Sequence, residues 1–276
     1  MDMVHRSAGI MLSSKVTGLL GFFALPKIVY ILNFDFRDQN YSIFLIEYPI
    51  LNERKNSKKR LMCLRKLLSE NRIELIMSKD KILCDELHLK KNEFLEEAVA
   101  FKKYAAVRKL CEQTSRKLTR GSFGFLVAQY NLKLLDVISD DASNVMLYEA
   151  KELDKKTKNK IFSEFMEKKG ISIVFSGDAQ KVIESSDILI VDDKLDLSSY
   201  EHQLENKTII SEKAALGSAE SITDIFMWFD GKCGNEQKAV IEQYNDELIA
   251  IIRFFNKDLH YCDFVSCFPI VDYRVE

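Results

Sequence analysis

From Val145 to Asp193 the chain alternates short apolar runs with stretches of helical spacing. This alternation constrains the fold more than any other feature. Val145–Glu149 (VMLYE) is apolar and ends in an acid, and Leu153–Lys169 has helical spacing. Ile171–Ser176 (ISIVFS) is a second apolar run, and Asp178–Ser185 is a helical turn or two. Asp187–Val191 (DILIV) is a third run, stopped by Asp192 and Asp193. Strands buried on both faces of a parallel sheet read this way, as near-continuous apolar runs separated by amphipathic helices. The pattern extends on both sides. Ser122–Ala128 is expected to be a first strand, Asn131–Ser139 a short helix and Asp140–Asn144 a turn. Lys207–Ser211 is expected as a fifth strand and Ser221–Phe229 as a sixth. Asn235–Phe255 follows as an amphipathic helix, with Val240, Tyr244, Leu248, Ile251, Ile252 and Phe255 on one face. The tail, Tyr261–Val275, is aromatic and apolar enough to pack.

The front of the chain is organised separately. Lys27–Phe34 and Tyr41–Tyr48 are β-rich, and the polar Asp35–Asn40 between them suits a turn. Glu53–Arg60 (ERKNSKKR) is basic and reads as a solvated loop entering a helix, with a polyanion patch as the other reading. Leu61, Leu64, Leu67 and Leu68 then share one helical face, and Ile73–Met77 is a third strand. Lys90–Leu118 reads as one long helix or two abutting ones, closed by Arg116, Lys117, Arg120 and Gly121. The expected division is therefore a smaller α/β domain over 1–118 and a doubly wound, mostly parallel α/β domain over 119–276. A small-molecule ligand is expected in the cleft beside the connecting helix.

Composition narrows the function classes. A net charge of −2 offers no general attraction to nucleic acid or anionic membrane, so neither is expected as a partner. The apolar Val16–Pro26 is 11 residues long, short of the roughly 20 that span a bilayer, and is expected to be a buried or interfacial segment. Six cysteines lack any CxxC pair, which points to reduced thiols in the cytoplasm. His260-x-Cys262-x4-Cys267 lacks the knuckle spacing of a zinc site, so no metal is expected. Only 10 of the 276 residues are glycine, against a usual ~7%. A site built from a glycine-rich phosphate loop therefore starts at a disadvantage.

The order of elements over about 121 to 230 resembles the Rossmann domain of two-domain NAD(P)-dependent dehydrogenases. The local match lies in Gly177-Asp178-Ala179 with its short helix, in Asp187–Val191 as an "ADIVI"-like strand, and in Glu205–Ile210 as a "gkiiid"-like one. The resemblance implies a nucleotide site at the first strand-to-helix turn, where the family carries G-x-G-x-x-G. This chain has Ala128-Gln129-Tyr130-Asn131-Leu132-Lys133 there, with no glycine. Side chains on Ala128, Gln129 and Tyr130 would crowd the pyrophosphate position, while Asn131 could cap the helix and leave amide donors outward. Glu149 ends the second strand about 20 residues on, where the family's ribose-binding acid belongs; the alternative is an acid facing water or Lys151. Asp178 is either an adenine-side acid, in a wording also found in class I methyltransferases, or a helix N-cap. Asp192 and Asp193 end the fourth strand, at the edge where open α/β sheets bind ligands. His202, Lys213 and the Phe226-Trp228-Phe229 cluster before Gly231 and Gly234 carry no motif that assigns a role, and the aromatics read as core.

Three readings stay open. The favoured one is a divergent Rossmann-like protein with a degenerate loop, serving in ligand binding, regulation or scaffolding, and forming a homo-oligomer such as a dimer. The second is an active NAD(P)-dependent oxidoreductase on a small metabolite. The third is an enzyme resembling S-adenosylmethionine-dependent methyltransferases. No catalytic residue is assigned in any of them.

Overall fold

The structure is a computed structural model of the 276-residue chain. It describes residues 4–15, 24–50, 57–87, 89, 93–113, 121–127, 132–149, 153–191, 197–204, 207–211, 221–228, 235–268 and 270–275. The chain divides into two compact units. One comprises Met1–Ala98 with Trp228–Ile270, the other Val99–Met227 with Val271–Glu276.

In the first unit, strands β1 (Val4–Lys15), β2 (Lys27–Phe36), β3 (Gln39–Ile50) and β4 (Leu75–Met77) form a sheet in the order β2-β3-β1-β4. β1 runs parallel to β3 and β4, and β2 runs antiparallel to β3. The β2–β3 turn forces Arg37 to φ 55°, a region that costs an L-residue roughly 1–2 kcal/mol. Helices α1 (Ser57–Glu70) and α2 (Lys81–Glu86) close one face over Met11, Phe44, Ile46 and Tyr48, to which they add Leu64 and Leu83. Tyr41, from the opposite parity of β3, packs against Phe255 at 6.0 Å and accepts a hydrogen bond from Asn256 Nδ2. Helices α8 (Asn235–Gln243), α9 (Asn245–Phe255) and α10 (Tyr261–Ser266) also belong here. The expected single helix over Asn235–Phe255 is interrupted at Tyr244 (φ −115°, ψ 26°). Beyond that break α9 buries Leu248–Ile252 completely. Arg253 fixes its end by binding Glu97 at 3.0 Å and donating to the carbonyls of Asn256 and Leu259.

The strand β1 was not expected from sequence. Arg6, Ser7 and the Ser13–Ser14 pair break its apolar run, yet Ala8 and Ile10 are wholly buried. Of the apolar segment expected to pack, residues 16–23 lie outside the described residues.

The second unit holds β5 (Gly121–Leu126), α4 (Leu132–Ser139), β6 (Ala142–Tyr148), α5 (Lys155–Phe162), β7 (Ser172–Ser176), α6 (Ala179–Glu184), β8 (Ile188–Val191), α7 (Glu201–Leu204) and β9 (Thr208–Ile210), and most of α3 (Glu93–Gln113), β10 (Ser221–Trp228) and β11 (Ile270–Val275). Its seven strands run in the order β11-β10-β9-β8-β5-β6-β7. β7, β6, β5, β8, β9 and β10 pair in parallel throughout. Numbered from β5, this is the order 3-2-1-4-5-6, the doubly wound arrangement of the Rossmann fold. Each face of the sheet is buried. Leu126, Met146, Leu189 and Val191 pack with Ala179, Val182 and Ile183 of α6 and Leu204 of α7. Residues of opposite parity, such as Phe123, Phe125, Val145, Leu147 and Ile190, are buried as fully. β5 reaches this density by carrying a glycine at its centre. A Cβ on Gly124 would lie 2.5 Å from Ser186 Oγ. The helical stretch expected over Leu153–Lys169 starts at the N-cap Asp154 and passes after Phe162 into a π turn, Ser163–Glu167.

Candidate functional site

The chain leaves β5, builds β6 and β7 on one side, then crosses back to lay β8 on the other side of β5. Strand order reverses there, and the crevice outside the carboxyl ends of β5 and β8 is where such sheets take ligands. Leu126 and Val191, opposite one another in register, end those two strands. Beside them Tyr148 ends β6 opposite Ser176 of β7, and the Glu149 N–H donates to the Ser176 carbonyl at 2.8 Å.

Glu149 stands at the carboxyl end of the second strand of the wound sheet. Its side chain is only 13% exposed, and its carboxylate lies 2.7 Å from Lys158 Nζ. It also accepts from the Leu153 N–H at 3.3 Å. Lys158 comes from the first turn of α5. Side chains on a helix lean toward its N-terminus, so this lysine reaches back over the first turn to the strand end. Its ammonium also lies 5.7 Å from the Phe175 ring. The sequence suggested Lys151 as a partner; residues 150–152 lie outside the described residues. A lysine at the fourth position after an N-cap aspartate was the signal available for Lys158.

Asp178 caps α6, accepting from the N–H groups of Gln180 (3.0 Å) and Lys181 (3.5 Å). The Ser176 hydroxyl accepts from the Asp178 N–H and donates to the Asp178 carbonyl, each at 3.1 Å, which fixes this turn. Gly177 beside it has open space where a side chain would go. Ala128, Gln129, Tyr130, Asn131, Asp192 and Asp193 lie outside the described residues, as do Lys213, Phe229, Gly231 and Gly234. His202 is exposed on α7. Phe226 is half-buried with Lys102 Nζ 5.6 Å from its ring, and Trp228 is buried under Lys238 at 5.3 Å.

A second group of titratable side chains lies in the first unit. Lys79, just after β4, binds Asp246 at 2.6 Å and Glu247 at 3.5 Å. Burial pulls the Lys79 ammonium down, but the two carboxylates outweigh it and its pKa is raised. Burial pushes the Glu247 carboxyl up, and the attraction of Lys79 only partly offsets this. The group ties α9 to the end of β4. Among the described residues no cluster of three or more His, Cys, Asp or Glu could hold a metal ion. Cys267 donates to the Asp263 carbonyl at 3.1 Å. No helix among the described residues is long and apolar enough to cross a membrane.

No protein-family model matches the chain, and no curated protein matches it in sequence. Solved structures resemble its path at very low identity. The ornithine carbamoyltransferase from Pyrococcus furiosus is 10% identical, with 90% of this chain and 83% of that one covered and a TM-score of 0.42. An aspartate transcarbamoylase from Trypanosoma cruzi, in complex with aspartate and phosphate, is 9% identical over 91% of this chain and 83% of that one, with a TM-score of 0.42. The shikimate 5-dehydrogenase from Listeria monocytogenes, in complex with shikimate and NAD, is 7% identical over 77% and 81%, with a TM-score of 0.38. The strand order, rather than these likenesses, carries the Rossmann-like assignment.

Proposed function

We propose that the chain is a divergent Rossmann-like protein that binds a ligand in a regulatory or scaffolding role and has lost the standard dinucleotide grip. The supporting observation is the state of Glu149. The acid that would hold a ribose hydroxyl is engaged through Oε1 by Lys158 at 2.7 Å and by the Leu153 N–H at 3.3 Å. A ribose hydroxyl would meet a carboxylate whose charge Lys158 already compensates. The loop sequence agrees, because Ala128-Gln129-Tyr130 has no glycine to let backbone approach a pyrophosphate. A cytoplasmic setting and a homo-oligomeric state belong to the same proposal.

A second reading, an NAD(P)-dependent oxidoreductase on a small metabolite, draws on the place of Glu149 at the carboxyl end of β6. The methyltransferase-like reading draws on Gly177-Asp178-Ala179, but there Asp178 is committed to capping α6. Thermal unfolding with NADH, NADPH and S-adenosylmethionine separates the three. A ligand at 100 times its dissociation constant adds about 2.7 kcal/mol to the native state. The proposal expects no shift with any of them. A shift with NADH or NADPH that disappears in Glu149→Ala would replace it with the oxidoreductase, and a shift with S-adenosylmethionine alone with the methyltransferase-like enzyme.

A further inference from the structure

Helix α1 opens on Ser57-Lys58-Lys59-Arg60 and has no acid in its first turn. This sequence works against the field of its own helix. A helix N-terminus carries a partial positive charge and N–H groups with no partner inside the helix, so it favours acids and disfavours cations. Three consecutive cations weaken α1 as an isolated element. They suit a turn that faces an anion.

The third cation is held inside the protein. Lys58 and Lys59 are exposed, whereas Arg60 is 3% exposed. Helical side chains lean toward the N-terminus, so the guanidinium lies back along the first turn. Its Nη2 lies 3.5 Å from Glu86 Oε1, at the margin of a hydrogen bond. That oxygen also accepts from the Tyr48 hydroxyl at 3.2 Å. The Arg60 Nε and Nη1 are buried with no acceptor among the described residues. An arginine stays protonated, so it cannot relieve this by losing its charge. One shared carboxylate leaves the guanidinium incompletely matched, and a buried charge is felt strongly by its surroundings. Tyr48 stands two positions before the end of β3. The contact through Glu86 therefore sets the first turn of α1 at the carboxyl edge of the first sheet, the edge where open α/β sheets bind ligands.

We propose that the first turn of α1 binds a phosphate group, with the free N–H groups of the turn, Lys58 and Lys59 meeting its oxygens and the Arg60 guanidinium supplying positive charge from beneath. A dianion suits the site better than a carboxylate, because three cations and a helix N-terminus face a single acid, Glu86. The phosphate is either free or the end of a small ester. The site lies wholly in the first unit and stands apart from the reading of Glu149 in the second.

Isothermal titration calorimetry on the full chain at fixed ionic strength tests this, with inorganic phosphate, glycerol 3-phosphate and acetate as probes. Wild type is expected to take up one phosphate group per chain with a Kd of about 1 mM or below, and acetate at least about tenfold more weakly. Tighter binding of glycerol 3-phosphate than of inorganic phosphate assigns the site to an ester, and the reverse to the free ion. Arg60→Met should weaken phosphate at least about tenfold. Lys58→Glu combined with Lys59→Glu replaces two cations by the acids that a helix N-terminus favours. Without phosphate, its urea midpoint should rise above that of wild type, while its phosphate binding is lost. Both positions are exposed, so this variant decides the matter if circular dichroism shows Arg60→Met unfolded. A wild type with no saturable uptake of either phosphate probe up to about 10 mM overturns the proposal. So does acetate binding as tightly as phosphate, or phosphate binding that survives unchanged in the double variant or in folded Arg60→Met.

Discussion

Gly124→Ala is a small change at a place with no room for it. The added Cβ would lie 2.5 Å from Ser186 Oγ, 2.7 Å from Leu189 Cδ2 and 3.0 Å from Ser186 Cβ. Neither neighbour can withdraw freely. Ser186 is 1% exposed, its hydroxyl donates to the Val182 carbonyl at 2.7 Å, and its carbonyl accepts from Lys207 Nζ at 2.7 Å. Leu189 is wholly buried in the cluster between β8 and α6. Overpacking of this kind costs about 1–3 kcal/mol. Turning the serine hydroxyl aside would forfeit a buried hydrogen bond worth roughly 1 kcal/mol more. The expected loss is about 2–4 kcal/mol, a fall in Tm of roughly 5–10 °C at this chain length. Urea unfolding followed by far-ultraviolet circular dichroism measures it. Adding Ser186→Ala removes the nearest atom and should recover about 1 kcal/mol through the coupling between the two sites. If Gly124→Ala stays within about 0.5 kcal/mol of wild type, the close approach of Ser186 and Leu189 to β5 is misjudged.

The remaining predictions concern buried charge. Lys158→Met should leave the Glu149 carboxylate poorly compensated and cost about 1–3 kcal/mol by chemical denaturation, more than Glu149→Gln; equal losses would deny the ion pair its role. Arg60, 3% exposed, lies 3.5 Å from Glu86, and its Nε and Nη1 find no hydrogen-bond acceptor among the described residues. Arg60→Met is therefore expected to be neutral or stabilising while Glu86→Ala destabilises by about 3 kcal/mol, and the opposite ranking in urea melts would refute this. Burial holds the Glu247 carboxyl above its ordinary 4.5, so its contribution to stability is complete below that pH and is lost as pH rises through the folded-state value. Glu247→Gln should remove this decline, so that the stability of the variant relative to wild type rises with pH above about 4.5. A difference that stays flat with pH would contradict the raised pKa.

The parallel strands of the second unit were legible in the sequence because burial on both faces leaves an uninterrupted signature. Val145–Leu147 and Ile188–Val191 are apolar at every position and buried at every position. β1 has the same central place in its sheet but was hidden. Its interior position Ser7 is polar and yet 4% exposed, with its carbonyl accepting from the Glu74 N–H. The paired polar and small residues imitate a loop. The break between α8 and α9 was hidden too, since Tyr244 keeps the apolar spacing while its backbone leaves the helical region. At the candidate site, the place of Glu149 followed from counting residues to a strand end. Its partner did not, because the meeting of Lys158 with Glu149 depends on the phase of α5 relative to the sheet edge, which spacing alone leaves open.

Equilibrium dialysis of the full chain against NADH and NADPH tests most directly whether the wound sheet has given up its dinucleotide. Nucleotide is expected to distribute equally across the membrane up to concentrations on the order of 1 mM, the range where binding energy falls to about 4 kcal/mol. Saturable uptake of one nucleotide per chain, abolished by Glu149→Ala, would contradict the account.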